Sequence, residues 1–373
     1  MTRYHRIFLP NATSCDGFSV KRIKKLKREL NIHGLDAFLA IQNTRYLSST
    51  TTGKAVIVPL DGDPVLICSR LEFEAASRES RIRDIRAYSS WRATLRRGER
   101  VSFLESWLLV AEVLKEFGTQ AVGYDRAGKN LIRKIRNAHG ASYKETPEIM
   151  KNLRMIKSPE ELNLLRQSAN IAVKGMNCAN ESIEPGRTEL EIAAEVEYRM
   201  RKAGSEGTPF PTIVGSGKNS LLPHATATQK KLRKGELIVV DLGAIFDGYA
   251  SDMTRTFSLA PTSKQSKLIQ VVRNAQRAAM GKVRDGAKAV DVDTAGRAIL
   301  TKSKLSKFAT HGTGHGVGLE IHEPPNLAPN SRDILRKGMV ITVEPGVYSP
   351  EVGGARWEDM LIVIKNGHQT LTL

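Results

Sequence analysis

Cysteine is nearly missing from this chain. Three occur, Cys15, Cys68 and Cys178, widely separated and odd in number. They offer neither a disulfide framework nor the spacing of a thiolate metal site, and they fit a reducing, cytoplasmic setting. Long apolar runs are missing too. No stretch approaches the roughly 18 uninterrupted apolar residues of a membrane helix, so no membrane partner is expected. Residues 1–17 mix charged and polar side chains without an apolar core, so no secretion signal is read there. Acid is scarce relative to base: 39 Asp and Glu stand against 57 Lys and Arg, a formal charge of +18. The excess is spread, with 26 basic against 16 acidic residues in positions 1–150 and 31 against 23 beyond. It leaves nucleic acid open as a partner, but no basic tail carries it. The densest run, Lys21 to Arg28, reads as the solvated face of an amphipathic helix that buries Ile23, Leu26 and Leu30.

What is present suggests two domains for 373 residues. Residues from about 18 to 145 alternate between helix and strand. A helix is predicted over Ser19–His33, a buried strand over Ala37–Ile41, and a hairpin from Ala55–Leu60 and Val65–Cys68 across Asp61-Gly62-Asp63-Pro64. A helix over Trp107–Phe117 and a strand over Ala121–Tyr124 follow. This part, residues 1–148, is an α/β domain without a chemical constellation. The second part, 149–373, opens on a strong helix start: Ser158 caps, Pro159 suits the first turn, and Glu161 completes a capping box. A second capping box, Thr188 to Glu191, starts a helix predicted to end near Gly204. Beyond it the pattern reads as short strands with many Gly and Pro. No clear repeat and no low-complexity linker appear.

The chemistry lies in that stretch. Leu237-Ile238-Val239-Val240-Asp241-Leu242 is a buried strand with an acid inside it, and a buried carboxylate needs a cation or strong donors. Asp247-Gly248 is a tight-turn signal, and Tyr249 to Phe257 is the returning strand. With that turn, Phe246 faces Tyr249 and Asp241 faces Thr254. Asp252 has the parity of Thr254, so it shares a face with Asp241, about 7–8 Å away at the backbone. Two like charges so placed repel unless something positive lies between them. Three more segments add donors: His311-Gly312-Thr313-Gly314-His315-Gly316-Val317-Gly318, Val343-Glu344-Pro345-Gly346, and Arg356-Trp357-Glu358 before an apolar strand. The glycine-rich run permits close backbone approach; lacking a following helix start, it is not read as a phosphate loop. Four carboxylates and an imidazole form a hard donor set, suited to Mn²⁺, Co²⁺, Fe²⁺ or Zn²⁺ and not to a structural zinc.

From about residue 150 onward, these ordered segments resemble the pita-bread metallopeptidases, the family of aminopeptidase P, prolidase, methionine aminopeptidase and the metal-free creatinase. The resemblance implies an α/β (α+β) fold, with an N-terminal creatinase-type domain before a pita-bread catalytic domain. It implies two divalent ions, Mn²⁺ or Co²⁺ first, held by Asp241, Asp252, His315, Glu344 and Glu358, with Asp252 and Glu358 bridging and activated water between the ions. It implies that His224, in Pro223-His224-Ala225, and His322, in His322-Glu323-Pro324-Pro325, hold substrate and stabilise the tetrahedral intermediate, and that Arg356 helps orient substrate. Glu344 is expected to pass a proton toward the leaving amine. His311 and His33 are read as structural. Ala355 and Trp357 depart from the family pattern, and bulky Trp357 is expected to reshape the pocket wall. The large N-terminal region, the His-Glu-Pro-Pro segment and Arg356 favour Xaa-Pro cleavage by a homodimer, of dipeptides or of longer peptides. Two rivals are a nucleic-acid- or protein-binding member with little activity, and a creatinase-like hydrolase or lyase on the same scaffold.

Overall fold

The computed structural model describes residues 16–92, 94–95 and 98–373. Cys15 and most of the segment read for a secretion signal lie outside the described residues; Cys68 and Cys178 are buried free thiols. The chain divides into two compact units, Met1–Leu153 and Arg154–Leu373. This division falls inside the helix Pro147–Met155.

The first unit is built on a seven-stranded sheet in the order Val101–Ser102, Asp84–Tyr88, Val65–Ser69, Gly53–Pro59, Ala37–Ala40, Ala121–Tyr124, Ser142–Glu145. Gly53–Pro59 runs antiparallel to both of its neighbours, and the other pairings are parallel. The inner strands are apolar on both faces, as strands covered by helices on each side must be. Ile23, Leu26 and Leu30 of the helix Asp16–His33 are buried as its spacing predicts. Within its basic run Arg22 is also buried: its guanidinium lies 4.1 Å over the Tyr46 ring and donates to the Tyr46 carbonyl at 2.6 Å. Lys24, Lys25 and Arg28 face solvent.

The second unit starts with two helices whose caps are those read from the sequence. Pro159–Ser182 and Glu189–Lys202 each carry a complete capping box, from Ser158 with Glu161 and from Thr188 with Glu191. The expectation of short strands alone after Gly204 is corrected here. Two further helices, Ser263–Met280 and Ala289–Lys302, interrupt the strands, the former behind a third capping box from Thr262 and Gln265. Each helix pair packs near an antiparallel sheet. One sheet has three strands, Met253–Ser258, Leu237–Leu242 and Ile213–Ser216. The other has five, Glu323–Leu327, Gly314–Gly316, Val340–Val343, Asp359–Ile364 and Gly367–Thr370.

Close approach between strands explains the glycines. A Cβ on Gly314 would stand 2.1 Å from the Thr342 carbonyl oxygen, and one on Gly243 2.0 Å from that of Ser251. Gly243→Ala is therefore expected to force apart the hairpin that carries Asp241 and Asp252. A loss of about 3 kcal/mol is expected from such overpacking, read as a lower Tm in thermal unfolding. An unchanged Tm would contradict this account of the hairpin.

Candidate metal centre

The hairpin takes the predicted register. Phe246 pairs with Tyr249 and Asp241 with Thr254. Asp247 and Gly248 have φ of 46° and 80°, the left-handed pair of a two-residue turn that matches strand twist. Asp241 sits inside Leu237–Leu242, and Asp252 directly precedes Met253–Ser258. His315 is the centre of Gly314–Gly316, Glu344 follows Val340–Val343, and Glu358 lies between Gly353–Arg356 and Asp359–Ile364.

These positions converge. Asp252, His315 and Glu358 offer ligand atoms that all lie within 4.8 Å of one another. His315 Nε2 is 3.3 Å from Glu344 Oε1 and 3.6 Å from Asp252 Oδ2. Its Nδ1 lies 3.1 Å from the Gly316 carbonyl, which can only accept, so Nδ1 carries a hydrogen, and Nε2 faces the acids. Asp241 Oδ2 accepts from Arg356 Nη2 at 2.6 Å, and Glu358 Oε2 accepts from the Thr254 hydroxyl at 2.7 Å. The remaining oxygens, Asp241 Oδ1, Asp252 Oδ1 and Glu358 Oε1, are buried without any donor. Orphaned carboxylate oxygens are costly in a dry interior. Three such oxygens, on Asp241, Asp252 and Glu358, with the His315 imidazole in ligand range of the last two acids, are what a hard divalent cation would satisfy.

The electrostatics agree. Burial, then the charges of Glu358, Asp241 and Glu344, hold the Asp252 carboxyl well above its ordinary value. Burial and the charges of Glu344 and Asp241 do the same to Glu358. Burial works to raise Glu344 as well, but its hydrogen bond to His315 and the charges of His315, His311 and Arg356 prevail and lower it. For His315 burial works downward, and the bond and charge of Glu344 outweigh it, so the imidazole is raised.

The outlying residues gather at the same place. His322 packs edge-on to His315, ring centres 4.4 Å apart. The charge of His224 acts on both His322 and His311. Both His224 and His322 are open to solvent. Arg356 is buried and donates to Asp241, to the Pro223 carbonyl at 3.0 Å and to the Tyr348 hydroxyl at 2.7 Å. Sequence reasoning passed over Tyr348 and set His311 aside. His311 Nδ1 donates to the Gly312 carbonyl at 2.7 Å, leaving Nε2 to accept from Tyr348 at 2.9 Å. A chain thus runs from Asp241 through Arg356 and Tyr348 to His311. Its one advance signal was His311 lying four residues before His315. Trp357 does not line this cluster: it packs against the apolar group of Leu237 and Leu268, between the guanidiniums of Arg255 and Arg273 at 5.0 and 4.6 Å from its ring centre. It follows Arg356 and precedes Glu358, and chain alternation turns it the other way.

Hard oxygen donors of this kind, buried and undonated, mark a metal-dependent hydrolase. Comparison with known families narrows that class: residues 163–365 match metallopeptidase family M24, and residues 22–156 match the creatinase/prolidase N-terminal domain. The chain belongs to metallopeptidase family M24, with the pita-bread fold in its second unit. It is 32% identical to the Xaa-Pro dipeptidase of Pyrococcus horikoshii over 94% of this chain and 97% of that one. The solved Xaa-Pro dipeptidase of Bacillus anthracis superposes with a TM-score of 0.86 at 30% identity, covering 95% and 97% of the two chains. The X-Pro aminopeptidase of Thermotoga maritima does so at 0.82 and 28%, covering 93% and 97%.

The raised carboxyls set a pH dependence. Asp252, Glu358 and His315 bind protons more tightly folded than unfolded, so stability of the metal-free protein falls as pH rises through their folded values. Glu344 acts oppositely, but its window lies below its ordinary value of 4.5. As these groups lose their protons with rising pH, a divalent ion relieves a repulsion that grows with pH. The Tm increment from added Mn²⁺ over a chelator control is expected to be larger at pH 8 than at pH 5.5. Equal increments would contradict the assignment of a cation to this cluster.

Proposed function

We propose that this protein is a metal-dependent exopeptidase that hydrolyses Xaa-Pro bonds, with Xaa-Pro dipeptides as its substrate. The observation that carries the reading is the trio of buried, undonated oxygens on Asp241, Asp252 and Glu358, two of these acids lying in ligand range of His315. Dipeptides are favoured over longer peptides because relatives at 30–33% identity over nearly the whole chain bear the name Xaa-Pro dipeptidase. The aminopeptidase likeness makes Xaa-Pro-Yaa peptides the second substrate to assay. In this reading residues 1–148 form the N-terminal domain and 149–373 the catalytic one. Asp241, Asp252, His315, Glu344 and Glu358 hold two divalent ions, Mn²⁺ or Co²⁺ in preference to Zn²⁺ or Fe²⁺. The protein acts as a homodimer in the cytoplasm, a setting in keeping with its scattered cysteines.

Divalent ions bound there supply Lewis acidity, polarising the scissile carbonyl and acidifying water. The chain's own groups do the rest. Arg356 holds Asp241 in place through its 2.6 Å charge-assisted bond to Oδ2. Glu344, 3.3 Å from His315 at the edge of the cluster, is the carboxylate placed to accept the proton released by attacking water and return it to the leaving proline nitrogen. That nitrogen belongs to a tertiary amide and has no hydrogen of its own, so it must receive a proton to leave. His322, which burial lowers from its ordinary value, stands edge-on to His315 and can donate to substrate oxygen. His224, also exposed and near enough for its charge to act on His322, holds the substrate with it.

The test is a substrate panel on purified protein. With Mn²⁺ or Co²⁺, Xaa-Pro dipeptides are expected to be cleaved, Xaa-Pro-Yaa peptides more slowly and Met-peptides not at all, and a chelator should abolish turnover. Inactivity on every peptide with metal bound would sink the proposal. Glu344→Gln is expected to lower kcat by about 10²–10⁴-fold with the fold kept, the range of a lost general acid–base group. Undiminished kcat would remove the proton-transfer role.

A further inference from the structure

Glu189 takes no part in the carboxylate cluster, yet it is fully buried. Its Oε1 accepts from the Ser216 amide at 2.8 Å, the Ser216 hydroxyl at 2.7 Å and Asn219 Nδ2 at 3.1 Å. Its Oε2 accepts from Asn219 Nδ2 at 2.9 Å, the Thr228 amide at 3.1 Å and the Thr228 hydroxyl at 2.6 Å. Every partner is a donor, a pattern that a carboxylate satisfies and an amide side chain cannot.

The donors have a definite place in the chain. Ser216 ends the strand Ile213–Ser216, Asn219 lies in the 3-10 turn Gly217–Leu221, and Thr228 closes the segment that follows. Between Asn219 and Thr228 stand Pro223 and His224. One carboxylate thus fastens both ends of the loop that presents His224. Glu189 itself is the first residue of the helix Glu189–Lys202, immobilised by the capping box of Thr188 and Glu191. On its other side the loop touches the arginine strand: the Ser220 hydroxyl accepts from the Gly354 amide at 2.9 Å, and the Pro223 carbonyl accepts from Arg356 at 3.0 Å. A Cβ on Gly354 would stand 1.7 Å from the Ser220 carbonyl oxygen, so the two backbones are in direct contact.

We propose that Glu189 is a positioning residue for His224: it ties residues 216 and 228 to a rigid helix start and so sets where the imidazole stands against substrate. The proposal rests on the role given to His224 above. Catalysis is sensitive to placement, since a shift of about 1 Å in a positioned group costs on the order of 100-fold in rate.

A double-mutant cycle on the metal-loaded enzyme tests it, with Glu189→Gln, His224→Ala and the pair assayed on an Xaa-Pro dipeptide. Each single change is expected to lower kcat/KM by about 10- to 100-fold. The pair is expected to match His224→Ala within about twofold, because the tie has no effect once its imidazole is gone. Bound metal should stay at the wild-type level in all three. Hydrogen exchange should quicken at the amides of residues 217–227 in Glu189→Gln while those of 237–242 keep their protection. Thr228→Val, which removes one donor, serves if Glu189→Gln does not fold; it should show a smaller loss that also vanishes with His224→Ala. Multiplicative losses in the pair, metal loss in Glu189→Gln, or unchanged exchange at 217–227 would each overturn the positioning role and leave the peptidase reading standing. Wild-type kcat/KM in His224→Ala would remove the histidine's role and the positioning proposal with it.

Discussion

Four carboxylates crowded into a dry space around one imidazole are the constraint on which the second unit turns. The charges of Asp241, Glu344 and Glu358 raise the proton affinity of Asp252, and those of Asp241 and Glu344 raise that of Glu358; in the interior such repulsion is far stronger than in water. Arg356 offsets part of it by pairing with Asp241, and His315 offsets part by pairing with Glu344. Neither reaches the three oxygens left without donors. A cation would complete the balance, and the strands that deliver these acids gain their arrangement's justification from it.

Around this centre lies a layer of buried polar ties, each holding one piece of backbone. Asp293 accepts from the Thr313 amide and hydroxyl at 3.1 and 2.7 Å and pairs with Arg297, which donates to the His311 carbonyl. The glycine-rich strand is thereby docked to the helix Ala289–Lys302. Glu323, next to His322, is clamped between Lys157 and Arg154, each at 2.5 Å. Such outer partners fix the aim of inner groups, and buried charge pairs hold only where geometry satisfies both members. The histidines facing solvent are therefore mounted on stretches of chain tied to buried charged groups.

Much of this was legible because it is local or because it is out of place. The turn Asp247-Gly248 fixes a register over residues 241–254 with no long-range information, and the structure keeps it. Single acids inside apolar strands stand out because burial makes them costly. The helices Ser263–Met280 and Ala289–Lys302 escaped notice among the surrounding Gly- and Pro-rich strands, although Thr262 and Gln265 announce the first with the same capping box that revealed the earlier helices. Tyr348, His311 and Glu189 were illegible for another reason. Their roles depend on partners 8 to 39 positions away, brought close only by sheet packing. Trp357 shows the opposite error: adjacency in sequence to Arg356 and Glu358 suggested a shared wall, and alternation along the chain put it on the other side among arginines.

The spacing of the cluster along the chain also bears on the unfolded state. Asp241 and Asp252 meet through one tight turn, but His315, Glu344 and Glu358 join them only when long loops have closed, the last ending at position 358. Closing such loops is an entropy cost that a cross-link relieves by restricting the disordered chain. The described cysteines are both free thiols. Ions held by such side chains would be the knot that disulfides tie elsewhere, fastened by coordination and undone by a chelator.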